Sequence, residues 1–345
     1  MNKLKIAIIG CGRISKNHFE SIKKFENYAE ITCCCDPIED RAKEKAIEYG
    51  IKKYYTSYQE LLDKEKLDLV CICTPSGLHP EHGIMAAEKK INVLVEKPMA
   101  INIKSANKLI KACDHNQVQL FVVKQNRLNT TMQLLSKAIE KGRFGKIFMV
   151  QSNVFWQRPQ SYYDSAKWRG TWEFDGGAFM NQASHYVDAM QWLFGHIETV
   201  TAETATMKRK IESEDTGCAI FKFRNGIIGS MNVTMLTYPK NFEGSITVLG
   251  EKGTVKIGGV AINHIEKWDF EDYDDDDKFI TDCNYVPPSV YGFGHEPYYK
   301  NVLETLLGLT EAHTDGREGK RAVEIVEAIY MSARLGKKVS LPLSV

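Results

Sequence analysis

At 345 residues the chain is long enough for two domains, each with a core of its own. Hydrophobic residues make up 43% and charged residues 26%, and a net charge of +1 leaves no field that would draw nucleic acid or an acidic membrane surface. Nine cysteines, an odd count gathered partly on apolar runs such as Cys33-Cys34-Cys35, argue against a disulfide framework and for reduced, buried thiols. The start "MNKLKIAIIG" has no signal-peptide core and no run reaches membrane-spanning length. A soluble, cytoplasmic protein is expected, with neither nucleic acid nor membrane as partner.

Short apolar runs come first: "LKIAIIG" (4–10), "EITCCCD" (30–36), "LDLVCICTP" (67–75), "INVLVEKP" (91–98) and "VQLFVVKQ" (118–125). Amphipathic stretches at 38–49, 80–90 and 104–115 separate them. Continuous apolar strands alternating with helices predict a doubly wound parallel sheet, a Rossmann-type α/β domain over residues 1–125. Beyond it the pattern changes to longer strands with outward polar residues. "FKFRNGIIGSMNVTM" turns at Asn225-Gly226, and "SITVLGEKGTVKIGG" turns at Glu251-Lys252-Gly253. Helices are expected near 130–141, 177–194 and 319–335. Residues 126–345 therefore read as an α+β domain with an open, mostly antiparallel sheet that serves substrate binding and oligomerisation, its last helix able to pack back on the first domain. The acidic run "FEDYDDDDKF" (270–279) lacks the glycine and glutamate of a calcium loop and is expected as a solvated loop.

"IAIIGCGRISKNHFESI" sets Gly10 and Gly12 in a strand-to-helix turn, where glycine permits the turn and lets backbone approach a pyrophosphate at the helix N-terminus. Arg13 and Ile14 follow in the same turn as expected cofactor contacts. Asp36 ends the second apolar run, where a carboxylate accepts ribose hydroxyls and repels a 2′-phosphate, so NAD is expected over NADP. Its alternative role is a helix cap before Pro37. Ligands bind beyond the carboxyl ends of parallel strands, which brings Thr74, Ser76 and His79 of "CTPSGLHPEH" toward the cofactor. His79 and His82 have no cysteine or carboxylate at metal spacing.

The same rule places Glu96 and Lys97 of "NVLVEKPMA" at the lip of the crevice. A lysine there can hydrogen-bond a substrate hydroxyl and stabilise the alkoxide as hydride leaves carbon. In "FDGGAFMNQASHYVDAMQWLFG", Asn181, His185 and Asp188 fall at i, i+4 and i+7 of a helix opened by Gly176-Gly177. His185 suits proton transfer near neutral pH, and Asp188 can orient it. Asn-x3-His-x2-Asp is a poor zinc set and hydride transfer to NAD needs no metal, so none is expected.

These elements together resemble the glucose–fructose oxidoreductase/inositol dehydrogenase (Gfo/Idh/MocA) family over essentially the whole chain. The resemblance implies that Lys97 and His185 are the catalytic pair, and that the protein is a homo-oligomer, a dimer or tetramer, packed through its C-terminal sheets. Narrower segments, "KQNRLN" (124–129), "FWQRPQSYYD" (155–164), "WRGTWEFDGGAFMNQASHYVD" (168–188) and "PPSVYGFGHEPYY" (287–299), resemble the bacterial UDP-N-acetylglucosaminuronate 3-dehydrogenases of surface-polysaccharide (O-antigen) synthesis. That likeness implies NAD-dependent oxidation at C3 of a UDP-sugar acid, with 2-oxoglutarate as a candidate acceptor for the hydride. Arg127, Arg158 and Arg169 suit its diphosphate and carboxylate. Tyr163, Tyr162, Trp156, Trp168 and Trp172 offer faces for uracil and sugar, about half of them expected in the core. Gln125, Trp168 and Arg169 are expected to touch the cofactor as well; Asn181, Tyr291 and His295 join Lys97 and His185 on the substrate. Two other readings stay open: another sugar or inositol dehydrogenase of the family, and a cofactor-sensing regulator that has lost catalysis.

Overall fold

The computed structural model describes residues 3–286 and 292–344. The chain divides into two compact units, Met1–Lys124 with His295–Lys320 and Gln125–Gly294 with Arg321–Val345.

The first unit alternates strand and helix: β1 (Leu4–Ile9), α1 (Ser15–Lys23), β2 (Ala29–Cys35), α2 (Glu39–Tyr49), β3 (Lys53–Tyr55), α3 (Tyr58–Lys64), β4 (Leu69–Ile72), α4 (His79–Glu88), β5 (Asn92–Val95), α5 (Ile103–Asn116) and β6 (Leu120–Val122). The six strands pair in parallel in the order β3-β2-β1-β4-β5-β6. Every residue of β4 is buried, as are Val93, Leu94 and Val95 of β5, because helices cover both faces. Each such side chain contributes roughly 1.5–3 kcal/mol relative to exposure. Local chemistry fixes the helix ends. Asn102 caps α5 by accepting from Ser105 N at 2.8 Å, and Gly50 closes α2 at φ 70°. β3, absent from the apolar runs of the sequence, is a three-residue edge strand.

The chain returns to this unit through α9 (His295–Leu306) and the start of α10 (Gly316–Leu335). Thr314 Oγ1 donates to Val122 O at 2.8 Å and Asp315 bridges Phe121, so the return is stitched to β6.

The second unit holds α6 (Thr130–Glu140), β7 (Ile147–Phe155), α7 (Gln160–Asp164), α8 (Ser184–Phe194), β8 (Ile197–Ala205), β9 (Thr216–Phe223), β10 (Ile228–Thr234), β11 (Glu243–Gly250), β12 (Gly253–Gly258), β13 (His264–Phe270) and, after most of α10, β14 (Val339–Ser340). The sheet order is β13-β12-β11-β7-β10-β9-β8-β14, antiparallel except where β7 runs parallel to β10. Both hairpins turn where the sequence places them, with Gly226 at φ 89°. One face carries α8 against β7; the other is open, and β9 alternates strictly between buried and exposed. On that open face Leu249 pairs with Met149 and Met149 with Ile228, and all three are exposed, as is Ile220.

The acidic run is not a bare solvated loop. Lys141 bonds Asp274 and Asp276 at 2.7 Å each, and the Arg143 guanidinium holds both oxygens of Asp277. Burial pushes Asp277 up, but Arg143 and the Asp274 and Trp268 N–H groups outweigh it and bring the carboxyl to about 2. All nine cysteines are free and seven are buried. Among the described residues no helix is long and apolar enough to cross a membrane.

Candidate active site

In the first unit the β1–α1 turn requires the first of its two glycines. Gly10 has φ +91°, and a Cβ there would lie 2.7 Å from both Cys73 C and O and 2.9 Å from Thr74 N. Backbone packs on backbone, and only glycine fits. A Cβ on Gly12 would meet no atom within 4 Å, so packing does not demand a glycine there. Ser15 Oγ donates to Gly12 O at 2.7 Å and closes the turn. Asp36 anchors it: Oδ2 accepts from Cys11 N and Oδ1 from Ile38 N, both at 2.9 Å. Asp36 is not the cap of α2, whose N-cap is Ile38 without a side-chain bond; its carboxylate, accepting one bond per oxygen, keeps a second lone pair on each. Arg13 is exposed and Ile14 half-buried at the start of α1.

At the carboxyl ends of β4 and β5, Thr74 is half-buried while Ser76 is buried. His79 is buried with Nε2 2.8 Å from Thr74 O and Nδ1 2.7 Å from Pro98 O, so the ring sits between the two strand ends and its neutral form donates to one of the carbonyls. Burial holds this imidazole below its usual range, against both carbonyls. Lys97 is half-buried just past β5; Glu96 beside it is buried with both oxygens engaged by protein. His295 lies in the same group, its Nε2 3.7 Å from Glu96 Oε1. His18, Glu96 and His295 offer ligand atoms within 4.8 Å of one another. Two imidazoles and a carboxylate are a set zinc accepts, but donors on a tetrahedral zinc stand about 3.3 Å apart. His18 Nε2 is 2.9 Å from Glu96 Oε1, the separation of a hydrogen bond.

The second unit holds the other candidates. Gln125 is wholly buried, and its Nε2 lies 3.1 Å from His185 Nε2. An amide N–H only donates, so with Nε2 facing the ring His185 presents a lone pair. The single helix expected from Gly177 is broken: Gly176 (φ 80°) and Gly177 (φ 94°) lead into a π turn over Ala178–Gln182, and α8 begins only at Ser184. The i, i+4 relation between Asn181 and His185 does not carry across that break. Asn181 Nδ2 instead donates to Asp175, whose Oδ2 accepts from Gly170 N at 2.7 Å. Asp188, expected to orient His185, receives the fork of Arg127, Nε and Nη2 each at 2.7 Å.

Arg158 is held by Gln182 Oε1 at 2.9 Å, Gln157 O at 2.8 Å and Asn241 Oδ1 at 3.2 Å. The Arg169 guanidinium lies over Tyr162 and Trp168, 4.3 and 4.5 Å from the ring centres, and donates to the Tyr162 hydroxyl at 2.6 Å. Trp156 and Tyr163 are core residues; Trp168 and Tyr162 are half-buried and Trp172 is exposed. Tyr291 lies outside the described residues.

Residues 4–124 match the oxidoreductase family's NAD-binding Rossmann fold, and 136–341 match its C-terminal alpha/beta domain. The chain belongs to the Gfo/Idh/MocA oxidoreductases. Within that family it is similar to two solved structures over essentially full length. The WlbA dehydrogenase from Bordetella pertussis, in complex with NADH and UDP-GlcNAcA, is 52% identical with 99% of each chain covered and a TM-score of 0.96. The WlbA dehydrogenase from Chromobacterium violaceum, holding the same two ligands, is 50% identical with 100% of this chain and 98% of the other covered and a TM-score of 0.95. Myo-inositol 2-dehydrogenase of Thermotoga maritima is 26% identical over 73% of this chain and 74% of that protein.

Sequence reasoning did not single out Glu214, which no local motif marks. It is buried, with Oε1 accepting from Phe179 N at 2.9 Å and from the Tyr330 hydroxyl at 2.8 Å. The Tyr330 oxygen also lies 2.6 Å from Gly176 O, its one proton shared between the two acceptors, so the pair braces the glycine turn that opens the π turn. Burial outweighs these donors and pushes the carboxyl up to about 8.

The contrast between the two glycines is testable. Gly10→Ala should destabilise the protein by about 2–4 kcal/mol. Gly12→Ala should stay within about 0.5 kcal/mol of wild type yet weaken NADH binding at least about tenfold. Thermal unfolding and a fluorescence titration check both, and an unaltered NADH affinity in Gly12→Ala would contradict the cofactor assignment. Folded Glu214 keeps its proton up to about 8 while the unfolded carboxyl loses it near 4.5. Stability from this group is thus full below the lower value, falls as pH rises between the two, and is flat above. Glu214→Gln should flatten that slope in melting curves taken from pH 4 to 9; an unchanged slope would refute it.

Proposed function

We propose that this protein oxidises the C3 hydroxyl of UDP-N-acetylglucosaminuronic acid to the 3-keto sugar nucleotide, with NAD+ taking the hydride. The observation that carries the reading is 50–52% identity, end to end, with two WlbA dehydrogenases solved with NADH and UDP-GlcNAcA. The residues agree with it. Gly12 and the anchored Asp36 suit the dinucleotide, and the half-buried Lys97 stands at a strand end. Arg158 and Arg169, fixed by amides and aromatic rings, suit the diphosphate and the sugar carboxylate.

When bound, the nicotinamide accepts the hydride. Lys97 and His185 act on the alcohol that loses it. With C3 giving up its hydride in that way, the hydroxyl proton would pass to a side chain of this chain. His185 is the candidate acceptor: the Nε2 lone pair that faces the Gln125 amide at 3.1 Å is open to the hydroxyl proton once substrate displaces that amide. The Lys97 ammonium then stabilises the alkoxide as the carbonyl forms. Asn181, Tyr291 and His295 remain candidate substrate contacts; Gln125, Trp168, Arg169, Arg13, Ile14, Thr74, Ser76 and His79 remain candidate cofactor neighbours. The reaction runs in the cytoplasm, serves synthesis of diacetamido-uronic acid sugars, and has 2-oxoglutarate as the candidate oxidant of the NADH formed.

Adding UDP-N-acetylglucosaminuronic acid, UDP-N-acetylglucosamine and myo-inositol in turn to the NAD+-loaded protein tests the reading. Absorbance at the reduced-nicotinamide band should rise with the first alone. A rise with inositol alone would overturn it. Lys97→Met should lower turnover by about 10²–10⁴-fold with NADH affinity nearly intact; full activity would discard the role of Lys97.

The working form is a homo-oligomer built on the open sheet face. Leu249, Met149, Ile228 and Ile220 form an apolar patch on it, which a monomer would leave in water. Light scattering should give a dimer or tetramer, reduced to monomer by Met149→Asp with Ile228→Asp. A wild-type monomer, or an assembly untouched by both changes, would refute this.

A further inference from the structure

The first unit carries a buried polar chain that hydride transfer does not itself require. Glu96 is 4% exposed and His18 fully buried. Glu96 Oε1 accepts from His18 Nε2 at 2.9 Å, and His295 Nε2 stands 3.7 Å from the same oxygen. Glu96 Oε2 accepts the backbone N–H of Lys97 at 3.0 Å. Behind His18, Nδ1 lies 2.6 Å from the Tyr299 hydroxyl, which donates to Cys71 Sγ at 3.2 Å. Residues from α1, β4, α9 and the end of β5 thus converge on one carboxylate.

Burying a carboxylate costs several kcal/mol unless partners compensate. Val93, Leu94 and Val95 just before it are wholly buried and apolar, so the strand itself asks for no charge at 96. Burial pushes the Glu96 carboxyl up, yet the His18 hydrogen bond and the charge of the two imidazoles, His18 and His295, outweigh it and hold the group well below the usual carboxylate range. The other titratable groups facing it are Cys73, whose thiol burial raises, and His79, which burial lowers. Burial pushes Cys71 up to about 12, and raises Tyr299 further, so neither is charged at neutral pH. The Lys97 charge reaches this cluster, since it lowers both His79 and His295.

We propose that Glu96 is the positioning residue of Lys97: His18 anchors the carboxylate with His295 beside it, and the carboxylate fixes the Lys97 backbone and keeps a negative charge one residue from the ammonium. This rests on the reading in which Lys97 meets the sugar hydroxyl. A displacement of about 1 Å in such a group costs about 100-fold in rate. Losing a neighbouring anion also makes an ammonium easier to deprotonate, so whichever limb of the pH–kcat profile Lys97 governs must move to lower pH.

The test compares wild type, Glu96→Gln, Glu96→Asp and Tyr299→Phe, all with NAD+ and UDP-N-acetylglucosaminuronic acid. Glu96→Gln should lose about 10- to 100-fold in kcat, with KM and NADH affinity within about twofold, and shift one limb down by about one unit. Glu96→Asp keeps the charge, so its limb should stay near the wild-type pH while kcat remains low. Tyr299→Phe, distant from the reacting groups, should lower kcat less, with the same KM; it decides the matter if Glu96→Gln does not fold. A folded Glu96→Gln with wild-type kcat and pH profile overturns the proposal. So does a Tyr299→Phe of wild-type kcat when Glu96→Gln is insoluble. Absence of turnover in the wild type itself would instead defeat the reaction reading, before Glu96 is reached.

Discussion

The turn at Gly10 can approach the Cys73–Thr74 backbone only because no Cβ intervenes, and the first unit is organised around that contact. It lies where the sheet reverses direction, with β2 on one side of β1 and β4 on the other. In a parallel sheet such a reversal opens a crevice beyond the carboxyl ends of the strands. Asp36 follows β2, Thr74 follows β4 and Lys97 follows β5, so the same geometry that demands a glycine collects the polar residues along one edge. His79, packed between Thr74 O and Pro98 O and donating to one of them, lies between two of those strand ends. A larger residue at position 10 would disturb all of them, because the clash is with backbone and no rotamer relieves it.

In the second unit the polar side chains are held before any ligand arrives. Arg158 is fixed by two amides and a carbonyl, Arg169 by two aromatic rings, and Asn181 by an aspartate that also grips Gly170 N. Ordering a long side chain on binding costs about 0.5–1.5 kcal/mol, a loss that arginines already fixed in this way would not incur in the substrate role proposed for them. The Glu214–Tyr330 pair extends the same logic to the backbone, since it braces Gly176 and the turn that leads to Asn181. A neutral acid serves there where a carboxylate would be costly to bury.

Much of this architecture is legible in the sequence where a local rule governs. The buried runs of β1, β4 and β5 announce a parallel sheet, the glycines of the first turn and the Asn225-Gly226 hairpin are local conformational demands, and Lys97 is marked by charge at the end of an apolar strand. The features that escape depend on distant partners or on small backbone changes. β3 is three residues long, on an edge and partly exposed, so it has no apolar signature. The π turn at Ala178–Gln182 leaves hydrophobic periodicity almost untouched while changing the phase of α8 behind it. The aspartates at 274–277 look like mutual repulsion until Lys141 and Arg143, far off in sequence, are set against them. Glu214 and the His18–Tyr299 link are tertiary contacts across more than 100 residues, and no spacing rule reaches that far.

Hydride leaving one carbon of the sugar is the step on which the proposed chemistry depends. UDP-N-acetylglucosaminuronic acid carrying deuterium at C3 tests it directly in a single turnover with bound NAD+. Reduction should be slower than with the unlabelled sugar, and the deuterium should be recovered in the nicotinamide ring. Reduction at the unlabelled rate, with no deuterium in the cofactor, would contradict it.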